Sequence, residues 1–367
     1  MEPVLELVVS TQPGGGPQHV WTLATGLRPR GWRPLVAGPR DGTLFDRFGA
    51  AGVEIVEAAT RGFSPFTLAR LTRLARRSGA RLVHSHGKGA GLYGRLVARR
   101  LGLPAVHTFH GIHYEAYPAP ARAAYLALER RLSRWTRVVI NVSRAQEAEG
   151  LALGLFSPAQ SRVIVNGVDG ARLAAAALDR WDARAALGVG TDVPVVGCAA
   201  RFDPVKRLDL LVRAFAALAT LDARLVLIGR GPEERRLRAL AADLGVASRV
   251  VFAGEIQDAA RFFPAFDVFA AASAKEGMPL GVLEAMALGL PVVASDIVAH
   301  REVLGPQAGG VVAASVETLA AALGRLLVDA EGRARLGGEN RTRARSEFTA
   351  HDMLDAVAGV YREVTAV

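Results

Sequence analysis

The stretch EGMPLGVLEAMALGLPVVAS, residues 276–295, contains the structural unit that recurs along this chain. Pro279 suits the first turn of a helix, and LGVLEAMALG continues that helix on mostly apolar residues. The segment PVVASD at 291–296 then predicts a buried strand. Helices that alternate with apolar strands are typical of parallel α/β sheets. The stretch carries only two charged residues, Glu276 and Glu284.

Short β-branched runs of the same kind occur in both halves of the chain, separated by longer helix-like segments. They lie at 4–10, 34–39, 53–58, 81–86, 104–110, 137–143, 162–167, 194–200, 224–229, 249–254, 267–273, 291–296 and 309–314. Continuous apolar strands between helices predict parallel sheets that are covered on both faces. The sequence therefore predicts an α/β protein built from doubly wound, Rossmann-like sheets.

The chain has 367 residues, which is more than one ordinary core needs, so we expect two domains. An Ala-rich, helix-like segment between Val168 and Val193 predicts the boundary. We place the first domain at 1–172 and the second at 173–347. The final segment, 348–367, has apolar residues near helical spacing and no strand after it, so we expect a helix that crosses back to the first domain.

The composition and the N-terminal sequence indicate the cellular compartment of the protein. The single cysteine, Cys198, excludes a disulfide framework and favours a reducing environment. The N-terminus, MEPVLELVVS, has acidic residues and no basic leader, and it reads as a strand rather than as a signal peptide. The sequence contains no run of 18 or more uncharged apolar residues of the kind that would span a bilayer. These features predict a cytoplasmic protein, which could contact the inner face of the cell membrane.

The net charge of +10 is unevenly distributed. Residues 1–172 carry 23 Lys and Arg against 11 Asp and Glu, whereas residues 173–367 carry 22 against 24. A basic half can contact nucleic acid or an anionic membrane. No aromatic and basic RNA-binding motif accompanies the charge, so a nucleic-acid partner is not expected.

The candidate ligand contacts follow the strands, where open parallel sheets bind their ligands. TQPGGG follows the first strand and places Gly14, Gly15 and Gly16 just before a helix, where backbone amides can approach an anion. A plain flexible turn is the alternative interpretation. In the opening stretch, free amides around Met278 to Val282 would lie at a helix start and attract phosphate.

Glu284 lies inside an apolar helix, so its carboxylate needs partners. Sugar hydroxyls of a bound nucleotide would serve, and a salt bridge to an internal Arg or Lys is the alternative. Arg201 and Lys206 follow another strand and could clamp one diphosphate, or could lie on a solvated surface. GRGPEE at 229–234 has Glu234 in place of the third glycine of a dinucleotide fingerprint, which disfavours an NAD-dependent dehydrogenase.

The order of these motifs resembles that of the retaining GT-B glycosyltransferases, and most closely the large bacterial family 4 of group 1 type. The motifs are the glycine loop at 14–16, HTFHG at 107–111, NGVD at 166–169, RFDPVK at 201–206, GRGP at 229–232, and Glu276 followed eight positions later by Glu284. The resemblance extends along essentially the whole chain, and the E-x7-E block is its most specific part. It implies two Rossmann-like domains that face each other across a cleft.

The resemblance also implies a role for each matching residue. A nucleotide-diphosphate sugar would place its diphosphate on Arg201 and Lys206, its ribose on Glu284, and the transferred sugar on Glu276. His110 would contact the donor sugar near the reaction centre. The remaining implied donor contacts are Gly15 and Gly16 of the glycine loop, Glu255 and Ile256 beside the base, and Gly277, Met278, Pro279 and Leu280 at the helix start.

No metal or other cofactor is expected, because Arg201, Lys206 and the helix start supply positive charge to the leaving phosphate. His84, His86 and His113 do not form an obvious metal set, since no Cys or carboxylate stands at ligand spacing in the sequence. The glycine loop departs from the common family pattern, because Pro17 and Gln18 replace the acidic residue that often follows it. That departure leaves the acceptor contacts of the loop open.

Residues 81–111 are similar to the corresponding part of enzymes that build O-antigen, capsule or exopolysaccharide, often on polyprenyl-diphosphate acceptors. The resemblance implies a hexosyltransferase for a lipid-linked or polysaccharide precursor, and the basic half of the chain fits such an acidic acceptor. The basic amphipathic segments 64–79 and 121–135 could touch a membrane, although ordinary packing on the sheet is the simpler interpretation. A sugar-nucleotide epimerase of GT-B architecture and a non-catalytic nucleotide-sugar binding module are the alternative functions.

Overall fold

The computed structural model describes residues 1–112, 114–115, 117–305 and 309–366. Every predicted apolar run overlaps a strand. The strands are β1 (Glu2–Val8), β2 (Trp32–Gly38), β3 (Glu54–Glu57), β4 (Leu82–His86), β5 (Ala105–Phe109), β6 (Val138–Asn141), β7 (Ser161–Val163), β8 (Val195–Ala199), β9 (Arg224–Ile228), β10 (Val250–Gly254), β11 (Val268–Ala271), β12 (Val292–Ser295) and β13 (Val311–Val312).

Helices separate these strands, and several of the intervening turns are 3-10 helical. The α-helices are α1 (Gly15–Gly26), α2 (Leu44–Ala50), α3 (Pro65–Ser78), α4 (Lys88–Leu101), α5 (Ala119–Ser133), α6 (Arg144–Ala152), α7 (Gly170–Ala176), α8 (Arg180–Leu187), α9 (Leu208–Ala216), α10 (Glu234–Asp243), α11 (Leu280–Ala287), α12 (Val298–Leu304), α13 (Val316–Val328), α14 (Ala330–Glu347) and α15 (Ala350–Thr365). None of the helices in the described ranges is both long and apolar enough to cross a lipid bilayer.

The first compact unit comprises residues 1–166 together with 350–367. Its sheet has the order β3-β2-β1-β4-β5-β6-β7, and the paired strands run parallel. The strand order reverses between β1 and β4, which is where open α/β sheets bind ligands. The residues that follow β1, β4 and β5 are therefore brought to one edge of this sheet.

Helix α15 is part of the first unit. Its apolar face buries Leu354, Val357 and Tyr361 in a core cluster with Val4 of β1 and Leu82 of β4. The borders between the two units lie at 166/167 and 349/350. The sequence predicted them at 172/173 and 347/348, because the Ala-rich segment that contains α7 gives no sign that this helix packs against α11 of the second unit.

The second compact unit comprises residues 167–349. Its sheet has the order β10-β9-β8-β11-β12-β13, again with parallel pairs and with a reversal between β8 and β11. Phe215 and Leu323 are fully buried in its main core cluster, on helices that cover the sheet. The reversal brings the loop after β8 and the loop after β11 to the same edge.

Candidate active site

The loops after β8, β9 and β10 converge at one edge of the second unit. The Phe202 amide donates to the Arg230 carbonyl at 2.8 Å, and the Gly229 amide donates to the Gly254 carbonyl at 2.7 Å. A Cβ on Gly231 would lie 2.5 Å from the Phe202 carbonyl oxygen, so only glycine allows this approach. The motifs RFDPVK and GRGP therefore lie side by side, and Glu255 and Ile256 follow directly from the same edge.

Glu276 forms a tight ion pair with Lys206. The Lys206 Nζ lies 2.5 Å from Glu276 Oε1, and the Ser273 hydroxyl donates to the same oxygen at 2.6 Å. The Ala274 amide also donates to the Val205 carbonyl at 2.8 Å, which ties the two loops together. Within the described part of the chain, Glu276 Oε2 has no hydrogen-bond partner, so this oxygen can accept from ligand hydroxyl groups.

Arg201 lies in the same loop as Lys206, but its partner is different. Its guanidinium pairs with Asp203 at 3.0 Å, and its side chain is 56% exposed. A surface pair of this kind contributes little stability, so the guanidinium can exchange Asp203 for an anionic ligand. A joint clamp of Arg201 and Lys206 on one diphosphate remains a prediction.

Helix α11 starts at Leu280, and Pro279 precedes it as the N-cap residue. The amides of Val282 and Leu283 both donate to the Pro279 carbonyl, at 3.0 and 3.1 Å. The expectation of an open amide at Val282 is therefore wrong, because the first turn closes on Pro279. In the described ranges, the amides of Leu280 and Gly281 have no backbone acceptor, and they remain the donors available to a phosphate.

Glu284 is partly buried one turn inside α11. Burial raises the pKa of its carboxyl group to about 7, the charge of Arg172 lowers that pKa, and Asp258 raises it further. Among the described residues no ion pair or hydrogen bond satisfies this carboxylate, so the alternative of an internal salt bridge finds no partner there. A proton held near neutral pH and an unpaired carboxyl group are typical of a ligand-binding position.

The structure adds residues that the sequence analysis did not single out. Arg172 follows the NGVD motif on α7, whose start is capped by the Asp169 side chain. Ser295 at the end of β12 donates its hydroxyl to the Ser273 carbonyl at 2.6 Å, and His300 bonds the Ser295 carbonyl at 2.7 Å. These contacts hold the loop that carries Glu276. Single Ser and His residues in apolar segments give no sequence signal for such a role.

In the first unit, the glycine loop lies beside His110. Helix α1 begins at Gly15, so Gly15 and Gly16 form its first turn, and the expectation that they precede the helix is wrong. A Cβ on Gly16 would lie 3.2 Å from His110 Cδ2. The absence of a side chain at Gly16 thus leaves room for the half-buried His110 ring.

His110 is linked to a buried carboxylate through a second histidine. Its Nε2 lies 3.1 Å from Nδ1 of His86, and His86 Nε2 lies 2.8 Å from Glu6 Oε2. Tyr361 donates its hydroxyl to the other oxygen of Glu6 at 2.6 Å. No carboxylate stands at ligand spacing from His84 and His86 in the sequence, but the pairing of β1 with β4 brings Glu6 beside both histidines. His113 lies outside the described residues.

The protonation states of this group follow from burial. His19 on α1 belongs to the same group, because its ring centroid lies 4.9 Å from that of His110. Burial lowers the pKa of His19 to about 3 and that of His86 to about 4, and it holds the pKa of His110 well below its usual value. Burial alone would raise the pKa of Glu6, but His84 and His86 outweigh that effect and hold it below the usual range. At neutral pH His19, His86 and His110 are therefore neutral beside an ionised Glu6, and His86 donates Nε2–H to that carboxylate.

Two family models match the chain. The model described as glycosyl transferases group 1 matches residues 193–329, and the model described as glycosyltransferase family 4 matches residues 13–172. A D-inositol 3-phosphate glycosyltransferase of Saccharomonospora viridis is 33% identical over 308 residues, which cover 78% of this chain and 70% of that protein. The lipopolysaccharide core mannosyltransferase LpsB of Rhizobium meliloti is 29% identical, over 65% of this chain and 71% of LpsB.

Solved structures show the same architecture. HepE of Anabaena, in complex with UDP and glucose, superposes with a TM-score of 0.88 at 22% identity, over 99% of this chain and 100% of HepE. Sucrose-phosphate synthase of Thermosynechococcus elongatus gives a TM-score of 0.84 at 23% identity, over the full length of both chains. The superpositions show that this chain has the GT-B fold, and the sequence matches show that it belongs to the group 1 glycosyltransferases of family 4.

Proposed function

We propose that this glycosyltransferase is a retaining hexosyltransferase that uses a nucleotide-diphosphate sugar and needs no metal ion for transfer. The observation that carries the proposal is the Lys206 and Glu276 pair, in which one carboxylate oxygen stays unpaired beside the start of α11. A cation, a hydroxyl acceptor and open amides stand together there. These are the groups that a sugar diphosphate requires.

Each donor contact has a physical reason in this proposal. Lys206, Arg201 and the amides of Leu280 and Gly281 neutralise the diphosphate. Glu276 Oε2 accepts hydrogen bonds from hydroxyl groups of the transferred sugar, and Glu284 accepts hydrogen bonds from the ribose hydroxyl groups. Glu255 and Ile256 flank the base, while Gly277, Met278 and Pro279 shape the loop beneath the donor. In the first unit, His110 is the proposed contact of the donor sugar, and Gly15 and Gly16 are the proposed backbone contacts of the phosphates.

The proposed reaction keeps the configuration at the anomeric carbon. The bond between that carbon and the β-phosphate oxygen breaks, and the acceptor oxygen forms the new bond on the same face of the sugar. The departing phosphate oxygen takes the proton of the acceptor hydroxyl. Positive groups held in place around the leaving diphosphate stabilise the developing charge without reorganisation, which is why a divalent ion is not required.

The donor base is proposed as uracil. The HepE structures contain UDP and UDP-glucose, and they have the same fold as this chain. UDP-glucose is therefore the first donor to test. The fold likeness supports that choice of probe.

We expect the affinity for UDP-glucose to depend on pH through Glu284. The free protein holds this carboxyl with a pKa of about 7, and ribose hydroxyls bind the carboxylate better than the acid. Binding then lowers the pKa. Affinity should be constant above about pH 7 and should fall by up to about tenfold per pH unit below it. Calorimetric titration of UDP-glucose between about pH 5.5 and 8.5 measures this, since its diphosphate does not titrate in that range.

The control variants separate this effect from general charge changes. Glu284→Gln should bind more weakly than the wild type above pH 7 and should show no step near that pH. Glu331→Gln, which alters an exposed carboxyl group on α14 of the same unit, should keep the wild-type profile. A wild-type affinity that is flat across this range, or that rises as the pH falls, would rule out the ribose role of Glu284.

For the acceptor, we propose a phosphate-bearing molecule such as a polyprenyl-diphosphate-linked sugar, used in cell-surface glycan synthesis. The basic excess of residues 1–172 supports an anionic acceptor, and so does the phosphate in the name of the D-inositol 3-phosphate glycosyltransferases. On α3, Phe66 is 87% exposed beside the solvent-facing Arg70 and Arg73, which supports contact with an anionic membrane.

Vesicle flotation tests the membrane contact. Wild-type protein should float with vesicles that contain anionic phosphatidylglycerol and not with neutral phosphatidylcholine vesicles, and Phe66→Asp should lose most of that binding. Equal flotation with both vesicles, or an unchanged Phe66→Asp variant, would remove the membrane from the proposal while leaving the donor site intact.

A further inference from the structure

Three histidines of the first unit meet at the carboxyl edge of its sheet. The histidine cluster consists of His19 on α1, His86 at the end of β4 and His110 directly after β5. Each offers one ring nitrogen, and the three nitrogens lie within 4.8 Å of one another. The ring centroids are 4.9 Å apart for His19 and His110, and 5.3 Å apart for His86 and His110.

Hydrogen bonds outside the cluster determine which nitrogens face inward. His19 Nδ1 lies 2.8 Å from Asn166 Oδ1, an oxygen that can only accept, so His19 carries its proton on Nδ1. His86 donates Nε2–H to Glu6 Oε2 at 2.8 Å. The remaining nitrogens, His19 Nε2 and His86 Nδ1, therefore present lone pairs. His19 Nε2 is buried and has no hydrogen-bond partner in the described part of the structure.

The cluster therefore contains more acceptors than donors. A neutral His110 has one N–H, which can serve His86 Nδ1 at 3.1 Å but cannot also serve His19 Nε2. A buried polar atom without a partner has a cost in free energy, so its presence calls for an explanation. A cation that accepts all three lone pairs would satisfy the cluster.

We propose that His19, His86 and His110 form a binding site for a divalent transition metal ion of the Zn²⁺ class. Zn²⁺ binds imidazole nitrogen at about 2.0–2.1 Å, so two nitrogens on one tetrahedral ion lie about 3.3 Å apart. The 3.1 Å between His86 Nδ1 and His110 Nε2 is close to that spacing. Three protein nitrogens leave a fourth position for water.

The histidine cluster has the supporting hydrogen bonds that are typical of metal-binding histidines in other proteins. Ligating histidines donate their other N–H to a carboxylate or carbonyl oxygen, which orients the ring. Glu6 Oε2 accepts the hydrogen bond from His86, and Asn166 Oδ1 accepts the one from His19. The neighbouring trio Glu6, His84 and His86 is different, because Tyr361 and Thr108 occupy both nitrogens of His84. That trio supports the metal site and does not form a second one.

Metal binding at this cluster would inhibit sugar transfer, a consequence that rests on the proposed function. The ion would take Nε2 of His110, whose proton would move to Nδ1 or to solvent. His110 would then be held by the metal and could not contact the donor sugar. The transferase that needs no metal would in this way be inhibited by Zn²⁺.

Cobalt spectroscopy tests the site without reference to activity. Co²⁺ added to metal-free full-length protein should produce the visible absorption bands of a tetrahedral ion, with one ion bound per chain and displacement by Zn²⁺. His19→Gln and His110→Gln should each lose these bands. Asn166→Ala should weaken the affinity for the ion by about 10- to 100-fold. His351→Gln, an exposed histidine of the same unit, should bind as the wild type.

The outcomes are distinct. Unchanged melting temperatures of the metal-free variants would show that each variant still folds. If one of the two histidine variants does not fold, the other still tests the site. Absence of a saturable tetrahedral spectrum, or wild-type binding by both ligand variants, would overturn the metal site. Protein that binds Co²⁺ through these residues but transfers no sugar would support the site and contradict the proposed function.

Discussion

Replacing Lys206 with Ala is expected to lower the rate of sugar transfer by about 100- to 1,000-fold, the usual cost of removing one preorganised electrostatic contact to a developing charge. Lys206 Nζ lies 2.5 Å from Glu276 Oε1 and is the cation nearest to that carboxylate in the described structure. Its loss removes positive charge from the proposed diphosphate site. It also releases Glu276, whose remaining hydrogen-bond partner among the described residues is the Ser273 hydroxyl.

Release of UDP from UDP-glucose measures this rate, with circular dichroism as a check on folding. Lys206→Arg should retain more activity than Lys206→Ala, because the charge is kept although its geometry changes. Arg236→Ala removes a cation of the same unit that is 70% exposed, and it should leave the rate unchanged. A well-folded Lys206→Ala protein that turns over at the wild-type rate would contradict the proposed donor site.

Replacing Asp267 with Ala is expected to lower the free energy of unfolding of the second unit by about 3–5 kcal/mol. Asp267 accepts from Arg180 at 2.7 Å and from Arg184 at 2.9 Å, and it also accepts from the Val195 amide at the start of β8. The Arg184 side chain is only 1% exposed. Without Asp267, a buried guanidinium loses its counter-ion, and a buried amide loses its acceptor.

Denaturant unfolding followed by tryptophan fluorescence and circular dichroism gives this value. The matched control is Asp222→Ala, which removes an Asp that is 77% exposed and pairs with Arg224 at the surface. That variant should unfold at the wild-type denaturant concentration, because exposed pairs contribute little. Equal unfolding midpoints for the two variants would show that the Asp267 network does not stabilise the unit.

The fold class could be predicted from the sequence because strands and helices are marked by local patterns of apolar residues. Each strand is a short apolar run, and each parallel pair needs a helix between its members, so the alternation predicts the sheets. The strand β11 lies within the predicted run 267–273, and β12 lies within 291–296. The predicted helix limits were less accurate. Helix α1 includes Gly15 and Gly16, and in the first turn of α11 the Val282 amide donates to the Pro279 carbonyl.

The candidate site was only partly predictable because its contacts join distant positions. Lys206 and Glu276 were each singled out from a motif, but their pairing depends on β8 and β11 lying side by side in the sheet. Glu6 was missed for the same reason. An acid in a first strand looks like an ordinary strand residue until β1 pairs with β4 and brings it to His84 and His86.

In the proposed reaction this chain transfers a sugar from a nucleotide-diphosphate donor, and the sugar keeps its anomeric configuration. Proton NMR of the wild-type protein with UDP-glucose, followed from the first turnover, tests it most directly. We expect UDP together with a transferred or released sugar whose first-formed anomer is α, as in the donor. A β anomer would contradict retention, an isomerised UDP-sugar would indicate an epimerase, and a donor that stays intact with saturable binding would indicate a binding module.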